Sequence, residues 1–148
     1  MPSATGDIGY QDRLEYESTP PGSGTWNTVY QVKTVTSPKK TTKKVDFTHL
    51  ESPNRTNEFK AGFGEFSPAA FEALYDPANA SQGQILADND AGTQRNWRIL
   101  LRNSITGATE ETWTWLGHVG EAGLAQLSTE EAHMLTGSIE VDGAITIT

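Results

Sequence analysis

Cysteine is absent from the 148 residues, which excludes disulfide scaffolds, thiolate metal sites and cysteine nucleophiles together. Long apolar runs are missing too. Stretches such as Ile99-Leu100-Leu101 are a few residues long, whereas a membrane-spanning helix needs about 20, so no transmembrane segment is expected. The first ten residues show neither a basic start nor an apolar core, and no signal peptide is expected. Histidine is scarce: His49, His118 and His133 fall on separate segments without the His-x-x-x-His spacing of a metal pair.

Other catalytic and ligand-binding signatures are missing or incomplete. No Gly-x-Ser-x-Gly elbow occurs, and Gly62-Phe63-Gly64 lacks the third glycine of a dinucleotide loop. Asp88-Asn89-Asp90-Ala91-Gly92 looks superficially like a calcium loop, but Ile99 stands where the bidentate glutamate belongs. The neighbouring acids Glu110-Glu111 and Glu130-Glu131 fit solvated charges better than a glycosidase pair. The expectation is a protein that is not an enzyme, with no catalytic residue, cofactor or metal.

What is present is a chain of single-domain length, able to bury roughly 70% of the surface it would expose unfolded. Eleven basic residues oppose 19 acidic ones, a formal net charge of −8. The charge is unevenly placed. Lys33, Lys39, Lys40, Lys43 and Lys44 lie within twelve residues that hold no acid, and the remainder carries 6 basic against 19 acidic residues, or −13. A nucleic-acid patch would interleave arginine or aromatic side chains with the lysines for base contact or stacking, and residues 33–44 have none. A basic segment that docks on an acidic surface of another copy fits better.

Alternation of polar and apolar residues, the period of a half-buried strand, dominates the chain. It predicts strands over 25–35, 94–103 and 111–119, the last two joined by a turn at 104–108 where Gly107 supplies positive φ. Residues 132–141 and 144–148 read as a hairpin through Asp142-Gly143. Weaker candidates are 10–17 and 44–50. Ser67-Pro68 ahead of Phe71, Leu74 and Tyr75 predicts one short amphipathic helix, and 80–87 is a second helix candidate. Trp97, Trp113 and Trp115 fall on neighbouring strand faces and read as core, which weakens the alternative of a monomeric carbohydrate-binding β-sandwich with an aromatic platform. Trp26 stands apart.

Residues 43–62 are the most distinctive. Val45-Asp46-x-Thr48, Ser52-Pro53, Glu58-Phe59 and Gly62 resemble, in order and spacing, a pattern of tail tube proteins from long-tailed (siphovirus-type) bacteriophages. Phe71-Glu72-Ala73-Leu74-Tyr75-Asp76-Pro77 is similar to the family's short helix and Tyr-Asp segment. Asn96-Trp97-Arg98-Ile99 through Gly107, Thr112-Trp113-Thr114-Trp115-Leu116-Gly117 and the run from Leu135 to Gly143 then follow the family's order of strands. The resemblance spans residues 32–148.

That resemblance implies a mainly β fold, a β-sandwich or open barrel of two packed sheets, with one short α-helix and a long extended loop, in a single domain over 1–148. It implies a structural virion protein without catalytic activity. Six copies form a ring, and rings stack into a tube around the tape measure protein. Tail terminator and tail tip proteins close the ends, and double-stranded DNA later passes through a commonly acidic lumen. The location implied is the virion tail, assembled in the host cytoplasm. Secretion-system tube proteins share the fold and form a second possibility.

Two sets of site residues follow. Residues 36–57 are too polar for core and too long for a hairpin loop of the usual two to five residues. They are expected to form an arm reaching a neighbouring subunit, with Lys39, Lys40, Lys43, Lys44, Asp46 and Arg55 as contacts; a solvated loop is the plainer alternative. Acids on or beside strands, namely Glu15, Glu17, Glu110 and Glu140, are candidates for the lumen. Residues 1–24 match no motif and are assigned a possible subunit contact.

Overall fold

The computed structural model describes residues 12–51, 53 and 56–148. Ten strands and one helix follow in the order β1 (Arg13–Glu17), β2 (Trp26–Thr28), β3 (Val32–Thr36), β4 (Lys40–Asp46), β5 (Phe59–Phe66), β6 (Ala69–Leu74), α1 (Ala80–Ala91), β7 (Gln94–Arg102), β8 (Thr109–Leu124), β9 (Met134–Val141) and β10 (Thr146–Ile147). Eight strands form one antiparallel sheet in the order β2-β1-β7-β8-β9-β6-β3, with β10 also on β8, while among the described residues β4 and β5 pair only with each other.

Chain length dictates the curl of the large sheet. β2 and β3 stand at opposite ends of its strand order, yet only residues 29–31 separate them, a reach of roughly 14 Å at about 3.5 Å per residue. The sheet therefore bends until its ends meet, making the expected open barrel from one curled sheet rather than two separate ones. Where the ends meet, the Val29 N–H donates to the Leu14 carbonyl of β1 and the Leu74 N–H of β6 donates to the Gln31 carbonyl. The strand expected over 25–35 is thus divided in two, with Gln31 at a positive φ of 55° at the break.

Inward-facing residues of the curled sheet build the core: Leu14 and Tyr16 of β1, Phe71 of β6, Trp97 and Ile99 of β7, Trp115 and Val119 of β8, Leu135 and Ile139 of β9, closed by Ile85 of α1. Trp97 and Trp115 are cross-strand partners and fully buried, as the alternation predicts. Gly117 is required on β8 because a Cβ there would lie 2.1 Å from the Glu140 carbonyl oxygen of β9.

Two sequence expectations change and a third is extended. The helix expected after Ser67 is strand β6: Ala69, Phe71 and Ala73 are buried while Ala70 and Glu72 are exposed, and β3 and β9 flank it on both edges. Pairing on two sides outweighs the helix propensity of Ala-Ala-Phe-Glu-Ala-Leu. The second helix candidate, 80–87, is α1 and runs on to Ala91, capped by Asn79, whose side chain accepts from the Ser81 and Gln82 N–H groups, and ended by Gly92 at φ 68°. Asp142-Gly143 is no hairpin turn. β9 and β10 run in the same direction along β8, Val141 opposite Gly117 and Thr146 opposite Thr114, so 142–145 form an interruption between two ladders on one sixteen-residue strand.

Candidate subunit-contact surfaces

β4 and β5 pair as a two-stranded ribbon with Lys40 opposite Phe66 and Asp46 opposite Phe59. The arm expected over 36–57 is thus one half of a hairpin that continues to Phe66. Its root is fastened where the Ser67 N–H donates to the Lys39 carbonyl at 2.8 Å and the Ser67 hydroxyl accepts from the Lys39 N–H at 2.9 Å. An isolated two-stranded hairpin is marginal in water. This one also exposes Phe47, Leu50, Phe59 and Phe63, the last at 91%. Clustered exposed aromatics mark a surface that a partner covers.

The arm carries acids alongside its lysines. Over residues 39–66 there are six basic and four acidic residues. Lys43 pairs with Glu65 at 2.7 Å, Lys44 lies 5.4 Å from the Phe59 ring centre and Lys60 lies 4.8 Å from that of Phe47. Lys39 and Lys40 sit at the root. Asp46 accepts from the Thr48 N–H at 2.8 Å, and hydrogen bonds from Thr48 hold its carboxyl below the usual range. Arg55 lies outside the described residues. The aromatic component went unnoticed in the sequence because Phe47 and Phe59, twelve residues apart, come to the same end of the ribbon only through hairpin pairing, the Phe47 N–H donating to the Glu58 carbonyl.

The outward face of the sheet is polar. At one end Arg98 of β7 bonds Glu15 of β1 through Nε and Nη2 at 2.7 and 2.6 Å, Thr28 donates to the same carboxylate, and the guanidinium stacks 4.1 Å from the Trp26 ring centre. Glu17 accepts from the Gly22 and Gly24 N–H groups and from Asn96. Burial alone would raise its pKa, but these three hydrogen bonds outweigh it and hold the carboxyl below the usual range. Both acids are buried and partnered, and Glu17 pins the 18–25 turn to the sheet.

Glu110 is exposed at the start of β8 and accepts from Asn103, while Glu140 is half-buried on β9 opposite His118. A shallow depression farther along this face, lined by Thr34, Thr36, Glu72, Glu121, Thr136 and Ser138, brings two further acids together. Those acids were missed because their strand assignments were missing: Glu72 lay on an expected helix and Glu121 beyond the expected end of β8.

Side chains from α1 hold the barrel closed. Gln82, fully buried, donates to the Tyr30 and Leu74 carbonyls at 2.9 and 2.7 Å and accepts from the Asp76 N–H at 2.8 Å. Asp88, far from any calcium loop, forms a buried ion pair with Arg95 at 2.7 Å, and Arg95 also donates to the Glu17 carbonyl. His118 contacts Asp142 at 2.8 Å, and His49 lies 3.2 Å from Glu58. Among the described residues no group of three His, Asp or Glu side chains converges as a metal site.

No family model and no curated protein sequence matches this chain. Its three-dimensional structure does have counterparts. A chain of the anti-feeding prophage baseplate, solved with six-fold symmetry, superposes with a TM-score of 0.80 at 11% identity, over 98% of this chain and 97% of that one. A chain of the tail of the empty GTA particle, refined with C6 symmetry, gives 0.72 at 16% identity over 93% and 96%. The SPP1 tail tube gives 0.72 at 12% identity over 96% and 78%. The chain therefore has the fold shared by phage tail tube proteins and the tubes of contractile injection systems.

Proposed function

We propose that this chain is a structural tube subunit, not an enzyme: copies join edge to edge into rings of six, and the rings stack into a phage tail tube. The observation that carries this reading is the likeness, over nearly the whole of both chains, to a chain of a six-fold symmetrised baseplate and to a chain of a tail refined with C6 symmetry. The outer edges of β3 and β10 have no partner strand among the described residues, and pairing with another copy would satisfy them. The outward polar face, with Glu72, Glu121 and Glu140 among hydroxyl side chains, suits a wall along which DNA slides without adhering. In this reading Glu15 and Glu17 brace that wall from within.

A tape measure protein inside the growing tube and terminator and tip proteins at its ends complete the assembly, built in the host cytoplasm and carried in the virion tail. An injection-system tube is the second reading, favoured by the likeness to the sheath–tube complex of an extracellular contractile injection system. Packaged DNA in particles containing the subunit separates the two. A monomeric carbohydrate-binding role finds little support, since Trp97 and Trp115 are core and Trp26 lies beneath Arg98. Sedimentation over a wide concentration range tests subunit against monomer. Ring- and tube-sized species are expected, and a monomer at every concentration, even with tail partners, refutes the proposal.

A further inference from the structure

The arm and the loop between β8 and β9 lie at opposite ends of the same ladder. β6 enters from the arm at Ala69, opposite Ile139, and ends at Leu74, opposite Met134, where the 125–133 loop closes through the Ala125 N–H to the Met134 carbonyl. Six residues of antiparallel strand put these ends about 17 Å apart. The loop end exposes Leu124 and Leu127, at 49% and 60%, beside Glu130 and Glu131, and residues 121–133 hold three acids and no lysine or arginine. The arm presents the complement: exposed Phe59 and Phe63, with Lys44 over the Phe59 ring, in a segment of six basic against four acidic residues.

We infer that the arm of one copy docks on the 125–133 loop of a second copy, Phe59 and Phe63 covering Leu124 and Leu127 while the arm lysines face Glu130 and Glu131. This deepens the tube reading, on which it rests, by naming the receptor of the arm. Donor and acceptor are different surfaces at opposite ends of one molecule, so the contact is heterologous. Each copy that accepts an arm offers another, and growth continues along the axis. Two arms meeting each other would bring together two segments that each carry six basic against four acidic residues, without the excess of acid that the loop offers.

The missing cysteines make the test clean. Phe63→Cys and Leu127→Cys variants are prepared singly and together, assembled, and treated with a short bis-maleimide linker. The two single variants mixed are expected to give covalent dimers containing one copy of each, and the double variant a head-to-tail ladder. Ile105→Cys, exposed in the β7–β8 turn beyond the arm root, serves as the competing site. A second arm of the test reverses Glu130 and Glu131 to Lys, which is expected to stop tube growth while rings persist, with growth restored when Lys44→Glu/Lys60→Glu copies supply the arms. Tubes that form without Phe63–Leu127 cross-links, or that link Phe63 to itself or to Ile105, overturn the docking assignment and leave the tube reading standing. Wild-type protein that forms neither rings nor tubes overturns the tube reading, and this inference with it.

Discussion

Replacing Gln82 by Met tests whether the helix locks the barrel closed. The substitution keeps an unbranched side chain of similar length in a fully buried position and removes three hydrogen bonds, two donated to the Tyr30 and Leu74 carbonyls and one accepted from the Asp76 N–H. At ~1 kcal/mol for each bond, the expected loss is about 3 kcal/mol, because the backbone groups left behind stay shielded from water. For a chain of this length that corresponds to a fall in Tm of roughly 6–12 °C. Urea unfolding, followed by the fluorescence of the buried Trp97 and Trp115, measures it at concentrations below assembly. Gln126→Met, exposed in the β8–β9 loop, is the control and should change stability by no more than about 0.5 kcal/mol. A loss below ~1 kcal/mol for Gln82→Met would refute the argument that this amide ties α1 to the β2–β3 linker and to the end of β6.

Glu17 makes stability depend on acid pH. Its folded pKa is depressed, so its contribution is fully present above the ordinary glutamate value near ~4.3 and is lost as pH falls through the lower folded value. Glu17→Gln should therefore be destabilised at neutral pH, with the gap from wild type closing on acidification; a gap independent of pH between 7 and 3 contradicts this. Removing one partner of the buried Asp88–Arg95 pair, as in Asp88→Asn or Arg95→Met, should cost about 3–5 kcal/mol, and the double variant less than the sum of the two. Additive losses in denaturant titrations would deny the coupling. Gly117→Ala forces β8 and β9 apart at the Glu140 carbonyl and should cost about 1–3 kcal/mol, read from the unfolding midpoint; an unchanged midpoint would mean the strands do not approach so closely.

Strands β7 and β8 and their turn were legible because their core faces alternate cleanly and Gly107 marks the bend. The core roles of Trp97 and Trp115 followed from that alternation. Residues 69–75 were misread because Phe71, Leu74 and Tyr75 satisfy a helical period while Ala69, Phe71 and Ala73 satisfy a strand period. Neighbouring strands decide between them, and those lie far away in sequence. The same non-locality hid the β9–β10 arrangement, since Asp142-Gly143 has turn chemistry whether it ends a strand or interrupts one. For the contact surfaces, the lysine segment was visible as composition, but Phe47 and Phe59 reach the same end of the arm only after Asp46 is paired with Phe59. Glu15 and Glu17 carry no local sign that Arg98 and Asn96 meet them across the sheet.

The central claim is a tube of stacked rings whose wall facing the channel is the polar side of the curled sheet. Helical reconstruction by electron cryomicroscopy of assembled wild-type protein tests it most directly. Six subunits per ring with Glu72, Glu121 and Glu140 facing the channel, and the 40–66 hairpin lying against the next ring, is the predicted result. Rings whose channel is lined instead by the helix face around Ala80–Ala91, or particles with no ring symmetry, would contradict it.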